Sequence, residues 1–334
     1  MSMQVLVTGG RQRPSAIQKE EWHRYRQAMV ARVEVDSGLV EVGLEYTSPP
    51  EACASPEDAS IVFKAGTLQG ERLYLCTQTE VLVYRLPDFE RLHYLSLPFF
   101  NDLHHVRPSG PDSVLVAVTG LDMVVDVTLD GRVLREWGVL GQDPWARFSR
   151  DVDYRRVVTT KPHHAHPNYV FELAGQLWVT RFEQRDAVSL TGHDTRIAID
   201  VEKPHDGFVI GNQVYFTTID GHIVVADAAT RRTVQVFDLN QISSRKRDLG
   251  WCRGLTILDG ERAIVGFTRI RPTRLRENLR WLRYEFGLRE TRGVLPTRIV
   301  CYDLKRSREE WEIDLEGSGM NCVFSIHPVT ALER

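Results

Sequence analysis

The chain has 334 residues and little that marks it for a special environment. Its net charge is only −3, so no global basic field is present to hold nucleic acid or an anionic membrane. No run of about 18 apolar residues occurs, which argues against a membrane-spanning helix. The N-terminal "MSMQVLVTGGRQRP" lacks the basic-then-apolar order of a secretory signal. The five cysteines, Cys53, Cys76, Cys252, Cys301 and Cys322, form no CxxC pair. Neither a zinc knuckle nor a secreted disulfide framework is expected, and a reducing, cytoplasmic location follows.

A glycine is also lacking where one kind of site would need it. "QVLVTGG" reads like the first strand of a dinucleotide-binding fold, but Gly9 and Gly10 are followed by Arg11, Gln12, Arg13 and Pro14. The third glycine that lets backbone approach a pyrophosphate is missing, and so is βαβ alternation. The segment is expected to be a strand and a turn.

What is present is a repeat. "HDGFVIGNQVYFTTIDGHIVVADAATRRTVQVFDL" (205–239) holds short apolar or alternating runs separated by turn signals, a four-stranded antiparallel meander. The layout returns at 63–97 and 105–139, begins again at 166–190 and 252–271, and resumes at 297–315. A period of about 40–50 residues with four strands per unit is the signature of a β-propeller. "NCVFSIHPV" (321–329) supplies one more strand, and the N-terminus supplies three. A blade built from both termini removes the exposed sheet edges. The expectation is therefore an all-β, six-bladed propeller, residues 1–334 as one domain.

This architecture resembles six-bladed propellers such as the gluconolactonase and paraoxonase group or the NHL-repeat group. The first group holds calcium with Glu, Asn and Asp at strand starts. Those positions differ here, so the resemblance implies the ring and not calcium-dependent hydrolysis.

In a propeller the first strand of each blade lines the channel, and equivalent positions converge at one mouth. His105 lies nine positions before Val114, and His205 nine before Val214. His166 lies eleven before Leu177, and a two-residue shift keeps the face of a strand. His166 belongs to "KPHHAHPNY", where His163 and His164 compete with it; "NYVFEL" starting just after His166 favours that residue over His164. Lys64, Cys252 or Arg253, and Asn321 fall near the matching position in other blades. Three imidazoles would suit a divalent transition metal (Zn, Fe, Mn or Cu) with a position left open for water or substrate. Asn101, Asp102 and Asp206 stand near enough in sequence to fix the ring tautomers. Arg253 is expected to clamp an anionic group, and Cys252 and Asp206 complete the candidate catalytic set.

Two insertions interrupt the repeat. Residues 138–160 carry Trp145, Phe148, Tyr154 and Arg156 just before the histidines. Residues 269–292 place Leu275, Leu279, Leu282 and Phe286 on one helix face, with eight arginines against three glutamates. That basic helix, near 272–290, offers a lid, or a surface for a partner or a second copy of the chain. The functional expectation is a metal-dependent enzyme (lyase or isomerase, hydrolase or oxidase) on a small, anionic substrate at the channel mouth. The alternative is a non-catalytic propeller that binds a protein or ligand.

Overall fold

The computed structural model describes residues 3–14, 25–57, 59–192, 195–245, 248–270 and 295–329. Among them stand six four-stranded antiparallel sheets, the blades: the first joins strands from both ends of the chain, and the second to sixth follow in chain order at 67–95, 103–138, 167–198, 208–238 and 251–268 with 298–314. The sheet around the clearest repeat has strands Phe208–Ile210, Gln213–Thr218, His222–Asp227 and Thr233–Asp238. Its two middle strands are almost wholly buried, while the fourth is mostly exposed. A strand covered by neighbouring blades on both faces tolerates a continuous apolar run, whereas an outer strand has water on its flank. This is why "VYFTT" and "IVVA" read as runs.

The blade that closes the ring has the order Cys322–Val329, Gln4–Gln12, Tyr25–Glu34, Leu39–Tyr46. The C-terminal strand is innermost and pairs antiparallel with the first strand. Gly9 and Gly10 lie inside that first strand, where a strand and a turn were expected. A Cβ on Gly9 would sit 1.9 Å from the Cys322 carbonyl oxygen. The glycine is therefore needed for strand approach and not for phosphate.

The 138–160 insertion forms two short 3-10 turns, Pro144–Ala146 and Tyr154–Arg156. Tyr154, Phe148, Trp145 and Val157 pack on the core shared by the second and third blades. Asn101 Nδ2 donates to the carbonyls of Tyr154 (2.9 Å) and Val157 (2.7 Å), so it anchors this strap and not a histidine. Arg156 donates to the carbonyls of Pro50 and Cys53. The strap thus ties three blades together on the face where the inner strands begin. The basic helix expected near 272–290 lies outside the described residues. No helix among the described residues is long and apolar enough to cross a membrane.

Candidate functional site at the mouth of the channel

Each blade brings one side chain to the mouth: Lys64, His104, His166, His205, Arg253 and Phe324. The ring centroid of His104 lies 4.7 Å from that of His166 and 6.3 Å from that of His205. His205 lies 6.1 Å from Phe324. Lys64 Nζ and the Arg253 guanidinium carbon lie 5.0 and 4.1 Å from the centre of the Phe324 ring. Lys64, His104, His205, Arg253 and Phe324 are all buried.

Backbone irregularity puts several of these residues there. The inner ladder of the third blade skips from Leu103 to His105, leaving His104 unpaired. The sixth blade skips from Cys252 to Leu255, taking Arg253 out of that ladder, and the closing strand skips Phe324 between Val323 and Ser325. Such a bulge re-aims the side chain it carries. His166 gains its direction differently, from a left-handed backbone (φ 56°).

The hydrogen bonds fix the chemistry of each ring. His104 Nδ1 lies 2.9 Å from the Asp102 carbonyl oxygen. A carbonyl can only accept, so Nδ1 carries the proton and Nε2 presents its lone pair. His163 Nδ1 and His166 Nδ1 are 3.0 Å apart, so one donates and the other accepts. His205 has no hydrogen-bond partner at either nitrogen, with Asp206 Oδ1 3.7 Å from Nδ1. Burial pushes all four rings below the ordinary imidazole range, most strongly His104 and His166; Lys64 adds to the effect, and Asp102 and Asp206 oppose it. The rings are neutral at neutral pH. Lys64 Nζ meets Asp102 Oδ1 at 3.3 Å. Among the described residues, no three of His, Cys, Asp or Glu stand arranged to hold a metal ion as the side chains are placed.

Several expected site residues are not in this ring. His105 accepts from the Val170 N–H at Nδ1 (3.1 Å), meets Thr67 Oγ1 at Nε2 (3.2 Å) and stacks on Tyr169 at 3.8 Å. Both nitrogens are spent inside the protein, and its neighbour His104 takes its place. The His164 ring is exposed; only its backbone takes part, through its N–H and carbonyl. Cys252 is buried in the core between the fifth and sixth blades, and burial raises its thiol well above the ordinary range, which leaves it unionised. Asp206 is engaged by the Thr217 hydroxyl and the Gly254 N–H (3.0 Å), behind His205. Asn321 accepts from the Gln12 N–H and leaves the mouth to Phe324. His163 and Lys64 join the ring without having been placed in the metal or catalytic set. The signal for His163 was the Lys-Pro-His echo between 161–163 and 203–205.

A carboxylate holds the histidine loop. Asp122, in the turn between the second and third strands of the third blade, accepts from the backbone N–H groups of His164 (2.7 Å), Ala165 (3.0 Å) and His166 (2.8 Å). Arg147 of the strap donates to it at 2.8 Å. Burial raises the Asp122 carboxyl, but these donors outweigh it and hold it below the usual carboxylate range. Beneath the ring, Thr8, Ser325 and His327 form a hydrogen-bonded floor, beside His105 and Thr67.

Buried neutral rings make stability depend on pH. His104, His105, His163, His166, His205 and His327 all have depressed folded values, that of His327 pushed down to about 4, in each case chiefly by burial. The unfolded chain therefore takes up more protons as pH falls through about 6.5. Stability fully present above that value is lost toward the folded values, at up to about 1.4 kcal/mol per pH unit for each ring. His222 runs the other way: burial lowers it, but Asp220 outweighs burial and raises it. One ring against six leaves the net direction unchanged. The urea midpoint is expected to drop from about pH 7.5 to about pH 5.5; a flat midpoint would contradict this account.

The sheets and their ring of inner strands define a six-bladed β-propeller with a polar, cation-bearing centre. Solved structures of the same fold include a protein of unknown function from Bacteroides caccae, with a TM-score of 0.64 and 14% identity over 98% of this chain and 99% of that one. A chain of the nidogen/laminin complex matches with a TM-score of 0.57 and 9% identity over 100% of both. A chain of the mitotic checkpoint complex matches with a TM-score of 0.50 and 8% identity over 90% of this chain and 74% of that one. At these identities the likeness is one of fold. No family model matches the sequence, and no curated protein does.

Proposed function

We propose that the protein is a metal-dependent enzyme acting on a small molecule at the mouth of the channel, with His104, His166 and His205 as ligands. The observation that carries this reading is His205, a buried ring with both nitrogens lacking a hydrogen-bond partner. Beside it, His104 has its Nδ1 fixed by a carbonyl and its Nε2 lone pair presented, the state a ligand needs. Two imidazoles sharing one tetrahedral metal have centroids about 5 Å apart, and the separations of 4.7 and 6.3 Å bracket that value. The reading calls on side-chain rotation to bring the lone pairs together. A bound Zn, Fe, Mn or Cu ion would supply a Lewis acid or activate water or oxygen. The protein's own residues would hold the substrate, exclude water and move protons, with His163 next to His166 for the last task. The five cysteines are buried and in no disulfide with one another, which suits a reducing cytoplasm.

A second reading has the imidazoles act as acid–base groups without a metal. The two cations at the same mouth, Lys64 and Arg253, favour it, because they repel a bound cation. Metal analysis of untagged protein separates the two. Stoichiometric metal is expected in the wild type and in His105→Ala, with about a tenfold or greater loss of affinity in His104→Ala and His205→Ala. Wild-type protein purified without metal, and unable to bind any of the four ions when they are added, would leave the second reading.

A further inference from the structure

We propose that the outer strand of the fifth blade, Thr233–Asp238, is an interface for a second copy of the chain, the two strands pairing antiparallel about a two-fold axis. Such a dimer does not depend on the chemistry of the mouth.

Three observations carry it. First, the strand lies at the edge of its sheet and turns backbone groups outward. Just past it, the Leu239 N–H donates to the Gly221 carbonyl (2.9 Å) on the side of the neighbouring strand. Antiparallel pairing alternates, so Phe237 and Gln235 also turn their backbone groups to that neighbour, while Val236 and Asp238 turn theirs away from the sheet. Second, the side chains do not guard this edge. Native edges are blunted by charge, proline or shortness. The other outer strands carry Glu41, Arg91, Glu136 and Glu310 in the first, second, third and sixth blades, and the fourth has only Arg196–Ala198. From Thr233 to Phe237 this strand has no charge and no proline. Its ladder slips at Val234, but four of the other outer ladders slip in the same way, so the slip is no special guard. Val234 is 57% and Val236 44% exposed. The cause is local: Val236 pairs with Val224, which faces the fourth blade, and the outer strand of that blade is too short to cover it. Third, the strand is electrically polar along its length. Exposed Arg232 precedes it and Asp238 ends it. Asp238 meets Asn240 and His222 through Oδ1 alone. Antiparallel pairing of two copies sets Arg232 of one beside Asp238 of the other at both ends and gathers four valines on one face. Parallel pairing would align like charges, and a uniformly acidic or basic strand would satisfy only one end.

Sedimentation equilibrium of the full chain at about 1 to 500 μM tests this, with near-UV circular dichroism as the check on folding. Edge pairing covers less surface than a standard interface, so a monomer–dimer equilibrium with a dissociation constant of about 1–100 μM is expected, weaker at high salt. The mass should stop at two copies, because an isologous contact is used up in the dimer. Val236→Lys should weaken association about tenfold or more, since the two-fold axis brings both new charges together. Val236→Pro removes an N–H that faces away from the sheet, leaves the inner ladder its hydrogen bonds, and should weaken association likewise. Arg232→Glu should weaken it about threefold or more, by setting two acids side by side at each end. Val42→Lys, at a comparably exposed valine on the outer strand of the first blade, should leave it unchanged. A wild-type chain that stays monomeric over the whole range, or one whose mass climbs past the dimer, overturns the proposal. So does a dimer that both Val236 substitutions leave intact, which would move the contact to another surface, such as the basic segment 269–292.

Discussion

A chain ending at Asn321 is expected not to fold. The strand Cys322–Val329 that it loses is the innermost strand of the closing blade, and it pairs with Gln4 through Gly10. Cys322, Val323, Phe324 and Ile326 are almost completely buried. Their burial is worth on the order of 5–10 kcal/mol, and a whole domain is stable by only about 5–15 kcal/mol. The loss is also not confined to one blade. The Val323 N–H donates to Thr268 Oγ1 (3.0 Å) of the sixth blade, and Ser325 Oγ accepts from the Gly66 N–H (3.2 Å) beside the second. Opening the ring leaves an unpaired edge in its centre. Near-UV circular dichroism and a urea titration check this; a truncated chain that still unfolds cooperatively near the wild-type midpoint would refute it.

Asp122→Ala is expected to destabilise the protein by about 3–5 kcal/mol and to release the 163–166 loop. The substitution removes one acceptor from three consecutive backbone N–H groups and from Arg147 at once. His166 would lose the constraint that holds its left-handed backbone, a conformation costing of the order of 1–3 kcal/mol. Asp122→Asn keeps one accepting oxygen but turns an amide NH2 toward donors, so a smaller loss is expected. Urea unfolding gives the magnitude. The imidazole resonances of His163 and His166 report the loop, since their shared hydrogen bond should vanish in the alanine variant. Unchanged imidazole signals would mean that Asp122 does not position these rings.

The repeat was legible because its cause is local. Apolar runs of strand length with turn residues at regular intervals can bury themselves only by stacking blade on blade. The lone strand at one end of the chain and three at the other specified the closing blade, since a ring cannot leave an edge. The same reasoning found the positions of His205 and Arg253. It put His105 in the place of His104 because it counted along an unbroken strand. Bulges at His104, Arg253 and Phe324 break that count, and a bulge depends on how two strands meet, which no spacing along one of them records. Gly9 misled for a related reason: its need for space comes from Cys322, at the far end of the chain. The sequence alone therefore determined the ring and the histidine-bearing mouth, because periodic burial is a local demand. Only the tertiary structure decided which histidines face one another, why Asp122 holds them, and that two cations share one aromatic ring, because those contacts join residues from different blades.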